Sequence, residues 1–252
     1  MQETHCIIAP DNVNDTASGH RLEHRQAVSF MNPHEKGRVD TMIKKLMTLI
    51  CGVGLAFMAL TAQASDYKTL DTPVDVQVPA GKIKVEEIFW YGCPHCYEFE
   101  PTFTKWVAEQ KDDVVVDRMP APLGRLWATH ARAYYAAKAL GIYDKVHEPF
   151  FNAVQQRQPL NDDEHIAEFF SHYGVSKDDA LKALQSFGVK SQINIASSAL
   201  RSYGLMGVPA IVINGKYVIN MDGSTSVTTP EGMLTVADQL IDQLRREAHT
   251  GK

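Results

Sequence analysis

Cysteine is scarce in this chain: there are four in 252 residues, Cys6, Cys51, Cys93 and Cys96. A chain this long with so few cannot be a disulfide-stapled mini-protein. Base is not in excess either. The formal net charge is −5, so no global positive field favours nucleic acid. The ten His include no pair at the HExxH spacing of a zinc helix. The apolar run Leu46–Leu60 is shorter than the ~20 residues that cross a bilayer. Internal repeats and low-complexity stretches are missing. What is present is ordinary: 44% hydrophobic and 22% charged residues, the balance of a globular domain.

The amino-terminal quarter has an export pattern. Lys44 and Lys45 form a basic head, Leu46–Leu60 carries no charge, and Ala62-Gln63-Ala64 is the small-x-small pattern of a cleavage site. Residues 42–64 are therefore expected to be a signal peptide, cut after Ala64; the alternative is an uncleaved anchor helix. Residues 1–41 are polar and aperiodic, and signals do not normally carry so long a lead. They are expected to be a disordered extension upstream of the true start, Met42. Cys6 and Cys51 would then be lost on export, leaving only Cys93 and Cys96. Spaced as CxxC, that pair closes too small a ring to be a structural staple, so chemistry explains it better.

Along the rest of the chain, Asp66–Pro79 is polar and is expected to lie along the surface. Lys82–Tyr91 reads as a strand with Ile83, Val85, Phe89 and Tyr91 on one face and Ile88 and Trp90 on the other. Two apolar faces suit an interior strand. Pro94 fits a first helical turn, where its missing N–H costs nothing. Phe99, Phe103, Trp106 and Val107 follow at helical spacing, with a kink expected at Pro101. Val114–Met119 is a second strand. Helical patterns then run over Trp127–Leu140, Asp144–Arg157, Asp162–Tyr173 and Ser176–Phe187, with Gly141, Gly174 and Gly188 as stops. After a further helix through Arg201, Ala210–Ile213 and Tyr217–Ile219 flank Asn214-Gly215, a strong hairpin signal. A last helix starts at Thr229-Pro230-Glu231. This order predicts an α/β, thioredoxin-like fold, residues 65–124 and 199–252, with an all-helical insertion at 125–198.

The chemistry centres on Cys93-Pro94-His95-Cys96. Alone, a CxxC could be half a zinc site, a haem tether or a redox pair. Zinc needs two further ligands, and the exported chain has no other Cys. Haem attachment needs CxxCH, and Tyr97 stands where the His would be. A redox pair needs a strand before it and a helix starting at it, and both are predicted here. A helix N-terminus offers partial positive charge and free N–H groups. Cys93, at that end, is expected to be held as a thiolate, with His95 adding a positive or donor group. Cys96, one turn in, is expected to be its buried partner.

Cys93-Pro94-His95-Cys96-Tyr97, with aromatics just before it, resembles the DsbA family of periplasmic thiol:disulfide oxidoreductases, and the likeness extends from Tyr67 to the last helix. The resemblance implies a soluble periplasmic oxidant, acting on reduced, unfolded secreted proteins and reoxidised by a DsbB-type, quinone-linked membrane partner. No cofactor, metal or nucleic acid is expected, and the chain should be a monomer. Two more positions match the family. Val208-Pro209 corresponds to the cis-proline beside the CxxC, where the Val208 backbone would pair with an extended substrate; the alternative is an ordinary strand-starting proline. Glu87, on the apolar strand face, corresponds to a buried acid that moves protons for Cys96; the alternative is a partner for Lys82 or Lys84. Glu86 is the residue a one-step register slip would substitute.

The remaining features read as structural. His130, His147, His165 and His172 are expected at the surface. Trp127, Tyr134 and Tyr135 are expected to pack a helix, and Arg245-Arg246 to end one. A disulfide isomerase would need a dimerisation segment longer than Ser65–Pro79. A copper carrier would need more than the scattered Met119, Met206, Met221 and Met233.

Overall fold

The computed structural model describes residues 65–250. The expected extension 1–41 and signal peptide 42–64 lie outside the described residues. No helix among the described residues is long and apolar enough to cross a membrane.

One five-stranded sheet organises the fold, with strands β1 (Lys68–Thr69), β2 (Ile83–Phe89), β3 (Val114–Pro120), β4 (Ala210–Ile213) and β5 (Tyr217–Asn220) in the order β1-β5-β4-β2-β3. The β2–β3 pair is parallel; β2–β4, β4–β5 and β1–β5 are antiparallel. Helix α1 (Pro94–Ala108) makes the crossover between β2 and β3. Helices α2 (Arg125–Ala139), α3 (Tyr143–Gln155), α4 (Asp163–Ser171), α5 (Lys177–Leu184) and α6 (Phe187–Tyr203) all fall between β3 and β4. Helix α7 (Pro230–Thr250) closes the chain. This is the mixed-sheet, thioredoxin-like α/β arrangement the sequence predicts.

The alternation along β2 sets the core. Ile83 and Val85 pack with α1 and α7, Phe89 and Tyr91 pack with the helical block, and Ile88 faces α6 on the opposite side of the sheet. The hairpin forms because Asn214 and Gly215 both take positive φ, 49° and 61°, as a tight turn between twisted strands requires. Gly215 has a second reason to be glycine: a Cβ there would lie 2.2 Å from the Val74 carbonyl oxygen.

Asp66–Pro79 lies along the surface as expected, exposed or half-buried apart from Leu70, and it also pairs with the sheet. Lys68–Thr69 pairs with β5, Leu70 is buried, and the Leu70 and Val74 amides donate to Lys216 and Gly215. Polar residues suit an edge strand, where one face stays wet. Gly188 does not stop a helix. α5 ends at Leu184, and Ser186 starts α6 by accepting from the Val189 N–H, which leaves Gly188 in a first turn. His130 and His147 are not surface residues. Both are buried, while His165 and His172 are exposed. The helix also continues through Pro101, which points outward.

Candidate active site

Strand β2 delivers the chain to the site, and Gly92 lets it turn. A Cβ at Gly92 would fall 2.3 Å from the Trp90 ring, which stacks on Trp127 with centroids 4.1 Å apart. Cys93 then caps α1. Its extended backbone precedes Pro94 at the first helical position, and its sulfur accepts the Cys96 N–H at 3.4 Å. Cys93 keeps 8% exposure, whereas Cys96 is fully buried. Both are free thiols.

The two sulfurs are pushed in opposite directions. Cys93 is lowered from 9.0 to about 6 by the Cys96 thiol hydrogen bond, against burial, with help from the Cys96 and His95 amides and the His95 charge. Burial raises Cys96 well above the ordinary thiol range, and its contact with Cys93 adds to this. The His95 ring is exposed and lies 3.4 Å from Glu98, so its backbone contributes more to Cys93 than its side chain does.

Val208-Pro209 is a cis bond, and the Cys93 thiol donates to the Val208 carbonyl at 3.7 Å. Met206, three residues before Pro209, is 85% exposed. The structure thus brings Cys93, Cys96, Pro94 and Val208-Pro209 together.

Glu87 sits beneath, with no exposed surface. It does not pair with Lys82 or Lys84. Lys82 donates to the Asp112 carbonyl, and Lys84 meets Glu86 at 3.1 Å. Glu86, on the other face, accepts from the Tyr203 hydroxyl at 2.6 Å. The partner of Glu87 is Arg118, directly opposite it in the β2–β3 register, with Nε 2.8 Å from Oε2. Arg118 also reaches Glu100 through Nη2 at 2.7 Å. His147 Nε2 lies 3.4 Å from the same Glu100 oxygen, and its Nδ1 lies 2.8 Å from the Tyr91 hydroxyl.

These groups divide one proton and one charge. Burial and the nearby Glu100 charge raise Glu87 to about 8, against the pull of Arg118. Burial works against Glu100 too, but His147 and Arg118 outweigh it and hold its carboxyl below the usual range. Glu87 therefore keeps a proton near neutral pH while Glu100 is the anion opposing Arg118. Burial lowers His147, so its imidazole is neutral. Burial likewise lowers His130, to about 4; its Nε2 lies 3.0 Å from the Leu160 carbonyl.

Arg118, Glu100, His147 and Tyr91 escaped the sequence reading. Glu100 was the most accessible: it lies four residues after Cys96, one turn on along the same helix face. Arg118 needed the strand register, and His147 needed the fold. Among the described residues no group of three His, Cys, Asp or Glu is placed to hold a metal ion.

Residues 84–234 match the family model of the DSBA-like thioredoxin domain. The thiol:disulfide interchange protein DsbA of Pseudomonas syringae pv. tomato is 40% identical over 208 residues, covering 79% of this chain and 95% of that protein. DsbA of Azotobacter vinelandii is 40% identical over 215 residues, covering 81% and 99%. The crystal structure of Pseudomonas aeruginosa DsbA superposes with a TM-score of 0.68 at 38% identity, covering 73% of this chain and 95% of that one.

Proposed function

This chain belongs to the DsbA family of thiol:disulfide oxidoreductases, and from that premise we propose that it oxidises newly exported proteins in the periplasm. One observation carries the reading most: a helix-capping, acid-shifted Cys93 that keeps 8% exposure beside a fully buried Cys96. Only Cys93 offers sulfur to an incoming thiolate, and it is also the better leaving group.

The steps follow from that asymmetry. A substrate thiolate attacks Cys93 of the oxidised pair; the new S–S bond joins substrate and Cys93, and the Cys93–Cys96 bond breaks. Cys96 leaves as a thiolate in a site that strongly favours its neutral form, and we assign Glu87 as the proton store that supplies it. A second substrate thiolate then attacks the substrate sulfur. The substrate disulfide forms, and Cys93 departs as a thiolate held by the Cys96 and His95 amides. The Val208 backbone at the cis-proline loop would align the extended substrate by adding it as a strand.

The export signal cut after Ala64, a monomeric state, reoxidation by a DsbB-type membrane partner and the division into residues 65–124 with 199–252 and insertion 125–198 complete the proposal. Equilibration with mixtures of reduced and oxidised glutathione tests it. An oxidant stays dithiol until the buffer is strongly oxidising; a pair already oxidised in mildly reducing buffer would instead mark a reductase.

A further inference from the structure

Beside the thiol pair, α1 and α3 enclose a cavity of about 540 Å³. Its mouth carries exposed Glu98, Asp144 and Glu148, and its inner wall includes Glu100, Arg118 and His147. It therefore runs from an acidic surface down to the charged cluster that holds Glu87, which has no exposed surface of its own. Glu87 Oε1, Glu100 Oε2 and His147 Nε2 are all buried without a hydrogen-bond partner. Three buried polar atoms without partners around one guanidinium are costly in a finished core. They suit a place that protons pass through.

We propose that this cavity is the inlet through which Glu87 is reprotonated from solvent, and that His147 is the positioning residue that admits the proton, acting through Glu100. The proposal rests on Glu87 being the proton store for Cys96. When the Cys93–Cys96 bond breaks, the Glu87 O–H bond breaks and a Cys96 S–H bond forms. Glu87 is left as a carboxylate against Arg118, and one solvent proton must restore it. That proton bonds to His147 Nε2 in the cavity and moves to the Glu100 carboxylate 3.4 Å away. Glu100 and Glu87 share Arg118, so the last transfer exchanges one neutral acid for another on a single cation. Tyr91 fixes the ring from its other nitrogen.

The charged and titratable groups facing His147 agree with this role. They are Tyr91 after β2, Glu100 on α1, Arg118 on β3, Tyr134 on α2, and Tyr143 with Asp144 on α3. The tyrosines stay neutral because burial raises them. Arg118 and Glu100 cancel. The imidazole is thus left to gain and lose one proton without changing the balance around it.

The test is chemical rescue. Oxidised wild type and His147→Ala are reduced by excess dithiothreitol between pH 6 and 8, and the rate of uptake of the solvent proton that restores Glu87 is followed with a pH-indicator dye in stopped flow. His147→Ala is expected to slow roughly tenfold or more at pH 7, within reach of a lost proton relay. Imidazole should restore the rate through the open cavity. Pyrazole, the same shape but too weak a base, should not. Equal rates for the variant and wild type, or equal rescue by pyrazole, would overturn the proposal. If His147→Ala does not fold, His147→Gln keeps the ring's polar contacts without its basicity. It should be slow and insensitive to pH, and a wild-type pH profile in that variant overturns the proposal too. Failure of the oxidase reading is distinguishable: the wild type itself would then not transfer its disulfide to a reduced, unfolded protein.

Discussion

At the scale of single residues, the site works because two identical side chains three positions apart experience different surroundings. Cys93 receives amide N–H groups at a helix end; Cys96 is sealed off with Glu87 nearby. Cys96→Ala should therefore accumulate mixed disulfides between Cys93 and secreted proteins, visible on non-reducing gels, and Cys93→Ala should accumulate none. Adducts that depend on Cys96 instead would reverse the assignment. Glu87 gives a pH signature. Its folded pKa, about 8, lies above the ordinary 4.5, so the folded state holds an extra proton between those values. The stability this contributes is full below pH 4.5 and is lost as pH rises through 8. Denaturant melts of the oxidised protein, in which Cys93 does not titrate, should show that decline, and Glu87→Gln should flatten it. An unchanged slope would mean that Glu87 is ionised throughout. Glu87 could be singled out in the sequence because a carboxylate on an apolar strand face is conspicuous. His147 could not, because histidine on an amphipathic helix is equally at home wet or dry, and only packing decides.

At the scale of elements, most of the order was legible because hydrophobic period and turn chemistry agree. The strand before Cys93, Pro94 at the first helical position and Asn214-Gly215 each combine a local preference with a tertiary requirement. The misreadings came where the two part. Gly188 looks like a stop, but Ser186 caps the next helix two residues earlier. β1 is only two residues long and has no pattern of its own; its partner strand makes it a strand. The hairpin supplies a test of this level. Gly215→Ala meets both a positive φ and the Val74 carbonyl, so it should cost on the order of 2 kcal/mol or more in denaturant melts. A loss below about 0.5 kcal/mol, typical of an indifferent surface site, would show that the turn tolerates a side chain.

At the scale of the whole molecule, oxidising power is a difference in stability between two forms of one fold. Closing a ring as short as Cys93–Cys96 favours the oxidised form by roughly 2 kcal/mol through the unfolded chain. The Cys93 thiolate favours the reduced form. Its folded pKa, about 6, lies below the ordinary 9.0, so the gain is full above pH 9 and is lost as pH falls through 6. That gain is close to zero at pH 5, roughly 1.4 kcal/mol at pH 7 and roughly 2.7 kcal/mol at pH 8. Thiolate and ring are near balance at neutrality, and the thiolate wins just above it. Glu87 titrates in both forms and drops out of the difference to first order. The stability difference between the two forms therefore changes with pH in both size and sign.

The most direct test is to melt the oxidised and reduced proteins side by side in denaturant at pH 5, 7 and 8. The reduced form should gain on the oxidised form by roughly 2.7 kcal/mol across that range and be the more stable of the two at pH 8. An oxidised form that stays more stable at every pH, by a margin that does not narrow, would contradict the account and mark the pair as a reductant's.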